Sequence, residues 1–408
     1  MNVLRELTVR VVLAATGGSC LLAALGTQLA YPQAKSEGAE KMPEIRRTFP
    51  LNKFYDTPIP LAPKKSGSLI RSEEFEEYDL PPGVLAVRIL YHSRSASGQD
   101  VAASGVVLYP DAKAPVGGWP VLAWAHALNG VARRCAPSLA RNVQHGPFLS
   151  MYVNLGYAVV ATDYTGLGTS FRNAFSDMPS NATDVIYSVP AARAAVPQLG
   201  SRWVAIGIGQ GGPTVVGVAE LEREIRDPNY LGSIAISGLD DLQDRYEHSR
   251  ADTFQEMPLF LAYGIKAVYP EFDVKDMLTD KALALYPRVE QACGEPGGEL
   301  KLSSAEMLKP NWESNNFVRQ YFSRNTPGQK PAQGPMLVIS SELDPTMPIH
   351  RTAQMITRMC KQGDRVQFER YPQSETGRVF GDSVRDQISW IQARFAGRPA
   401  ASNCSEQR

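Results

Sequence analysis

The sequence predicts an α/β fold, a mostly parallel sheet flanked by helices with an inserted helical cap. Three observations predict it. Short continuous apolar runs, Pro120 to Ala125, Tyr157 to Ala161, Trp203 to Ile206 and Ser233 to Ser237, have the pattern of strands buried on both faces. Helical stretches stand between them, and such alternation implies a sheet covered on both sides. From Gly238 to about Gly334 the alternation stops, and it resumes with Met336 to Ser340.

With 408 residues, 43% of them hydrophobic, and a formal net charge of zero, the chain can bury a large core. Nothing electrostatic points to a nucleic-acid partner. At the N-terminus Arg5 and Arg10 precede an uncharged run, Val11 to Ala34, of which Val11 to Leu25 is the apolar part. Residues 1–30 therefore read as a signal peptide or signal anchor, which places the mature chain outside the cell, in a periplasm or in the cell envelope. Contact with a membrane is expected only through this segment, if it stays uncleaved. Cys20 reads as filler of the leader, because Gly17 stands where lipoprotein attachment requires Leu.

Four cysteines remain beyond the leader, Cys135, Cys293, Cys360 and Cys404. An even number in an exported chain favours two disulfides, with three pairings open. No two of them have C-x-x-C spacing, and no metal or cofactor motif is legible. The oligomeric state is not legible either.

Residues 31–80 are rich in Pro, Lys and Glu and read as an extended arm wrapping the domain. Val84 to His92 and Val101 to Tyr109 read as the first strands, joined by a turn over Ser95 to Gln99. Helices are expected over Phe148 to Asn154, Asp184 to Ala195, Arg351 to Cys360 and Asp382 to Phe395, with a last strand over Val366 to Tyr371. The core is thus residues 81–238 and 335–408, and residues 239–334 form the cap, carrying Met257, Phe260, Tyr263, Tyr269, Met277 and Leu278 among charges. In such a frame an insertion roofs the site and shapes an apolar pocket.

The stretch Arg202 to Glu220 organises the rest. It reads as a strand, a knot of small residues, Gly207, Ile208, Gly209, Gln210 and Gly211, and a helix starting near Pro213. That is the strand, sharp turn and helix of a nucleophile elbow, where G-x-S-x-G lifts a Ser above the sheet. Here Gly209 stands where the Ser belongs.

Several motifs together resemble the secretory lipase family of the α/β-hydrolases, over roughly Phe54 to Cys404. WAHALNG at Trp124 to Gly130 with CAPS at Cys135 to Ser138 is similar to that family's oxyanion loop, and TDYTGLGT at Thr162 to Thr169 to its TDYxGLGT. GIGQGG at Gly207 to Gly212 is similar to GHSQGG, ELDPTMP at Glu342 to Pro348 to the loop holding the catalytic acid, and YPQSET at Tyr371 to Thr376 to the segment ending in the catalytic His. The resemblance implies a Cys135–Cys293 and a Cys360–Cys404 disulfide. It also implies a Ser, Asp, His triad, of which Asp344 is retained, Gly209 vacates the nucleophile position and Thr376 the base position. Oxyanion donors are expected from the backbones of Gln210, Ala127 and Leu128, and Ala127 departs from the family's Gly.

The other histidines do not replace the base. His350 lies six residues after Asp344 at the head of a helix, and His92, His145 and His248 read as structural or exposed. Gly207, Gly211 and Gly212 are expected to serve close packing, and Asp163 and Tyr164 either to hold structure or to touch a ligand. Glu375 is expected to be solvated or to meet Arg378. The reading is an exported, catalytically incomplete lipase homologue that holds a lipid or ester ligand under its cap. The alternative is an active triacylglycerol lipase or carboxylesterase with a non-standard site.

Overall fold

The computed structural model describes residues 48–58, 60–239, 242–243, 257–291, 293, 302–344, 347–375 and 377–407. The expectations for the leader at residues 1–30, the start of the arm, His248 and Thr376 lie outside the described residues.

Nine strands form one sheet: β1 (Leu69–Glu74), β2 (Val84–Arg94), β3 (Asp100–Pro110), β4 (Trp119–Ala125), β5 (Ala158–Thr162), β6 (Leu199–Ile208), β7 (Tyr230–Ile236), β8 (Met336–Ser341) and β9 (Val366–Tyr371). Their order is β1-β2-β3-β5-β4-β6-β7-β8-β9. Strands β1 to β3 pair antiparallel, as does β3 with β5, while β5, β4, β6, β7, β8 and β9 run parallel. The five inner parallel strands, β5, β4, β6, β7 and β8, carry the buried apolar runs that the sequence shows, because both of their faces are covered, whereas β9 at the edge, VQFERY, alternates.

Among the described residues ten α-helices are bounded in chain order: α1 (Gly146–Asn154), α2 (Met178–Ala195), α3 (Gly211–Ile225), α4 (Met257–Val268), α5 (Asp280–Val289), α6 (Ser304–Met307), α7 (Asn316–Arg324), α8 (Ile349–Lys361), α9 (Val379–Asp382) and α10 (Val384–Phe395). One sheet face packs against α2, α3 and α8 through Val185, Val215 and Met355. The other packs against α1, α9 and α10 through Leu149, Phe380 and Trp390. Between β7 and β8 the described elements are helices, and Phe260, Met277, Leu278 and Phe322 belong to a further hydrophobic cluster that also takes in Val131 and Phe175.

Three expectations need correction. Val84 to His92 is not the first strand: the arm contributes β1 before it, whose charged sequence LIRSEE hides it, as befits the edge strand of a sheet. Helix α2 starts at Met178 rather than Asp184, since the Asp177 side chain accepts from Ser180 N at 3.2 Å and Pro179 suits the first turn. The last helix is two, broken at Ser383, whose Oγ donates back to Val379 O at 2.6 Å.

Two disulfides close the molecule, Cys135–Cys293 and Cys360–Cys404. The first ties the segment after β4 to the helical insertion, and the second ties α8 to the C-terminal tail. Their sequence separations are 158 and 44. In the chain-entropy picture loops of these lengths contribute about 5 and about 4 kcal/mol. Replacing Cys135 and Cys293 together by Ser should therefore lower the urea midpoint more than replacing Cys360 and Cys404; equal midpoints would show that chain entropy does not govern either bridge.

Glu222 near the end of α3 is fully buried, and its Oε2 accepts from Asp227 N at 3.1 Å where Arg226 turns into the left-handed region. Oε1 has no hydrogen-bond partner. Burial pushes this carboxyl up from 4.5 to about 7. A raised acid binds its proton more tightly in the folded state, so its contribution is fully favourable below pH 4.5 and is lost as pH rises toward 7. Glu222→Gln keeps the acceptor and removes the charge. It should stabilise the protein by something on the order of 1 kcal/mol at pH 8 and not at pH 4.5, read by chemical denaturation at both values.

Candidate functional site

The turn between β6 and α3 is fixed by close backbone approach. A Cβ on Gly207 would lie 1.9 Å from Gly211 O, one on Gly211 2.0 Å from Ala125 O, and one on Gly212 2.2 Å from Ser237 O. These three glycines are packing residues. Gly209 differs: its φ of +56° is the strained angle of an elbow, and a Cβ there would meet only Ala127, 3.3 Å from the Ala127 Cβ. It is the one position of the four where a side chain is sterically admitted. Gly209 N donates to Ile236 O at 3.0 Å, and Gly212 N donates to Gly209 O at 2.9 Å. Gln210 follows in helical geometry at the N-cap of α3. Its N–H lies at the start of α3, where the helix dipole is positive.

The loop after β4 faces this turn and is held from behind by His126, which is buried. Its ring lies 4.2 Å from that of Tyr164, with Nδ1 2.6 Å from Ala127 O and Nε2 3.1 Å from Asp163 O. Burial pushes the imidazole down to about 4, so it is neutral at physiological pH and donates to one of these two carbonyls. Tyr164, at φ +66°, donates its hydroxyl to His126 O at 3.2 Å.

Asp163 is structural. It has no exposed surface, and its carboxylate accepts from Ser104 Oγ at 2.6 Å, Ser138 N at 2.8 Å and Ser138 Oγ at 2.5 Å. Burial raises its carboxyl, and these hydrogen bonds oppose the rise.

Asp344 is buried, and its Oδ1 accepts from Met347 N at 2.9 Å. Beside it, Ser341 Oγ donates to Ser374 O, and Ser374 Oγ donates to Asp382 Oδ2 at 2.7 Å, which sets the segment leading to Thr376. Glu375 is exposed, and Arg378 pairs at 3.8 Å with Asp382, not with the Glu375 side chain. His350 is exposed at the start of α8. His92 is buried against Asp100 at 3.0 Å, and His145 packs edge-on against Trp124 at 5.8 Å, a structural place for each.

A cavity of about 250 Å³ brings Gly209, Gln210, Ala127 and Leu128 together. Its apolar walls are Phe175, Met178, Leu242, Met257 and Met347. Asp344 is linked to this cavity through its bond to Met347. Phe175 and Met178 went unread in the sequence, although the Asp177 cap and Pro179 marked the start of the helix that carries Met178. Among the described residues, no group of three or more His, Cys, Asp or Glu side chains is placed to hold a metal ion.

The chain has the α/β-hydrolase fold, with lipases and esterases among its structural neighbours. The ligand-bound rice cell wall degrading esterase LipA from Xanthomonas oryzae superposes with a TM-score of 0.65 at 21% identity, covering 81% of this chain and 98% of that one. Candida antarctica lipase A in its closed state superposes with a TM-score of 0.70 at 17% identity, covering 87% of this chain and 89% of that one. No protein-family model matches the sequence. No curated protein matches it either.

The contact between Gly209 and Ala127 makes a direct prediction. Gly209→Ser places a side chain at a left-handed angle and 3.3 Å from Ala127, so it should destabilise by about 1–2 kcal/mol. In a double-mutant cycle with Ala127→Gly, the cost of the Ser should fall by about 0.5–1 kcal/mol. Strict additivity in urea unfolding would mean that the two residues do not share this space.

Proposed function

We propose that this protein is an exported, non-catalytic member of the lipase-like α/β-hydrolases whose cleft holds a small acyl ligand. The observation that carries the reading is Gly209 at the tip of an otherwise intact elbow, with the Ala127 Cβ set against the space a nucleophile's side chain would need. An amide such as that of Gln210 is neither nucleophile nor base. In a related type of triad, loss of Ser or His costs about 10⁶ in turnover, roughly 8 kcal/mol of barrier. Thr376 at the expected base position leaves no imidazole to replace it.

What remains is a binding cleft. An apolar cavity of about 250 Å³ is below the usual range for drug-sized ligands and suits a short acyl chain. The Gln210 N–H at the positive end of α3 suits the oxygen of its head group. The ester chemistry of the neighbours, one an esterase and one a lipase, supports the same ligand class. The basic and apolar leader and the two disulfides support export into an oxidising compartment.

The test compares hydrolysis of nitrophenyl butyrate and octanoate by the purified protein and by the triple variant Gly209→Ser, Ala127→Gly, Thr376→His. The native protein should show no turnover above the buffer rate, and the variant should gain it. Native turnover in the ordinary enzyme range, about 1 to 10³ per second, would sink the proposal and place a second nucleophile in the cleft.

A further inference from the structure

Four polar side chains stand on the wall of the cleft: Ser176, Gln210, Thr214 and Asn325. Two of them are spent within the protein. Thr214 Oγ1 donates to Gln210 O at 3.0 Å, while Asn325 Oδ1 accepts from Met178 N at 2.6 Å and its Nδ2 donates to Tyr321 O at 2.8 Å. The Ser176 hydroxyl and the Gln210 carboxamide make no hydrogen bond among the described residues, and both residues are partly exposed.

Ser176 is held in place. Its φ of +55° lies in the left-handed region, where a residue with a side chain stays only when its surroundings impose it. They do so from both sides: Tyr321 of α7 donates its hydroxyl to Phe175 O, and Arg324 of the same helix pairs at 2.7 Å with Asp177. A strained backbone that sets a free hydroxyl on a cavity wall points to a contact with something bound there.

The charges around the cleft do not suit an anion. Among the described residues no charged side chain lines it, and Asp344, bound to the wall residue Met347, is a carboxylate. Residues 240–256, which lie in sequence between the wall residues Gly238 and Met257, hold six Asp and Glu against two Arg and one His. An ionised acid in the cleft would give up its water with no cation to replace it, which is costly. The positive end of α3 offers about half an elementary charge, which suits a carbonyl dipole and falls short of a full anion.

We propose that the occupant of this cleft, on the acyl-binding reading given above, is an uncharged acyl derivative, an ester or a primary amide, and not the ionised acid, with the Ser176 hydroxyl and the Gln210 carboxamide as its head-group contacts. Hydroxyl and carboxamide each donate and accept, so the pair can meet either kind of head group.

The full chain is titrated calorimetrically near pH 8, where butyrate is ionised, with methyl butyrate, butyramide and sodium butyrate at constant ionic strength. Methyl butyrate or butyramide should bind the native protein at least about tenfold more tightly than butyrate, and the better of the two assigns ester or amide. Ser176→Ala and Gln210→Leu should each weaken that neutral ligand about 3- to 10-fold. Gln210→Lys supplies a cation and should raise butyrate affinity about tenfold without raising that of the neutral ligand, a change of selectivity that altered packing alone does not produce. The three ligands on the native protein decide the question of charge even where a variant does not fold. Butyrate binding the native protein as tightly as the better neutral ligand overturns the proposal while leaving the cleft an acyl site, as does unchanged affinity in folded Ser176→Ala and Gln210→Leu. If none of the three binds up to about 10 mM, the acyl-binding reading falls and the proposal with it.

Discussion

A carboxylate without solvent holds the cleft side of this molecule in place. Asp163 sits at the end of β5 with no exposed surface, and a charge in that position is tolerated only when hydrogen bonds and opposite charge replace its water. Ser138 supplies two of the three donors. Its carbonyl in turn accepts from Tyr78 at 2.6 Å and from Arg88 at 3.4 Å, and its hydroxyl shares a hydrogen bond with Tyr55 at 2.7 Å. Arg88 is itself 1% exposed, with its guanidinium 3.3 Å from the Phe75 ring centre and within 5.7 Å of those of Phe49, Tyr55 and Tyr78. One buried network thus joins the N-terminal arm, the second strand and the loop that carries Cys135. Phe49, Phe75 and Tyr78 of the arm complete the aromatic shell around a buried cation.

That network explains which parts of the fold could be read from the sequence. The inner strands were legible because burial on both faces leaves a continuous apolar run, as in Val204 to Ile206 or Leu337 to Ile339. Strand β1 was not, because its pairing with β2 is decided by backbone hydrogen bonds and by Arg88 reaching Glu73 at 3.8 Å, and neither leaves an apolar pattern. Arg88 shows the same limit from the other side: within β2 it reads as a solvent-facing charge, and its cage is assembled from residues up to 39 positions away, at Phe49.

The site divides in the same way. Gly209, Gln210, Ala127 and Leu128 were legible because short motifs fix their backbone, and the structure brings all four to one cavity. Its walls were not, since Phe175, Met178 and Met257 come from separate segments that carry no motif. Of the apolar residues of the insertion, Met277 and Leu278 have no exposed surface and belong to the hydrophobic cluster of the insertion, whereas Met257 faces the cavity. Apolar character alone does not distinguish these two fates.

The elbow shows why the frame of the turn does not depend on the residue at its tip. The tight turn from β6 to α3 requires Gly207, Gly211 and Gly212, because a Cβ at any of them would strike a backbone oxygen at 1.9 to 2.2 Å. These are demands of packing, and they hold whether or not a nucleophile stands at Gly209. At Gly209 the left-handed angle favours glycine, so removing a side chain there relieves strain and costs the fold little. The volume left open lies against Ala127, which has a Cβ where the lipase-like motif has none. The two departures from the motif are thus physically complementary: the space a nucleophile would have used is narrowed from across the cleft, while the backbone that would have presented it stays as the sheet and helix require.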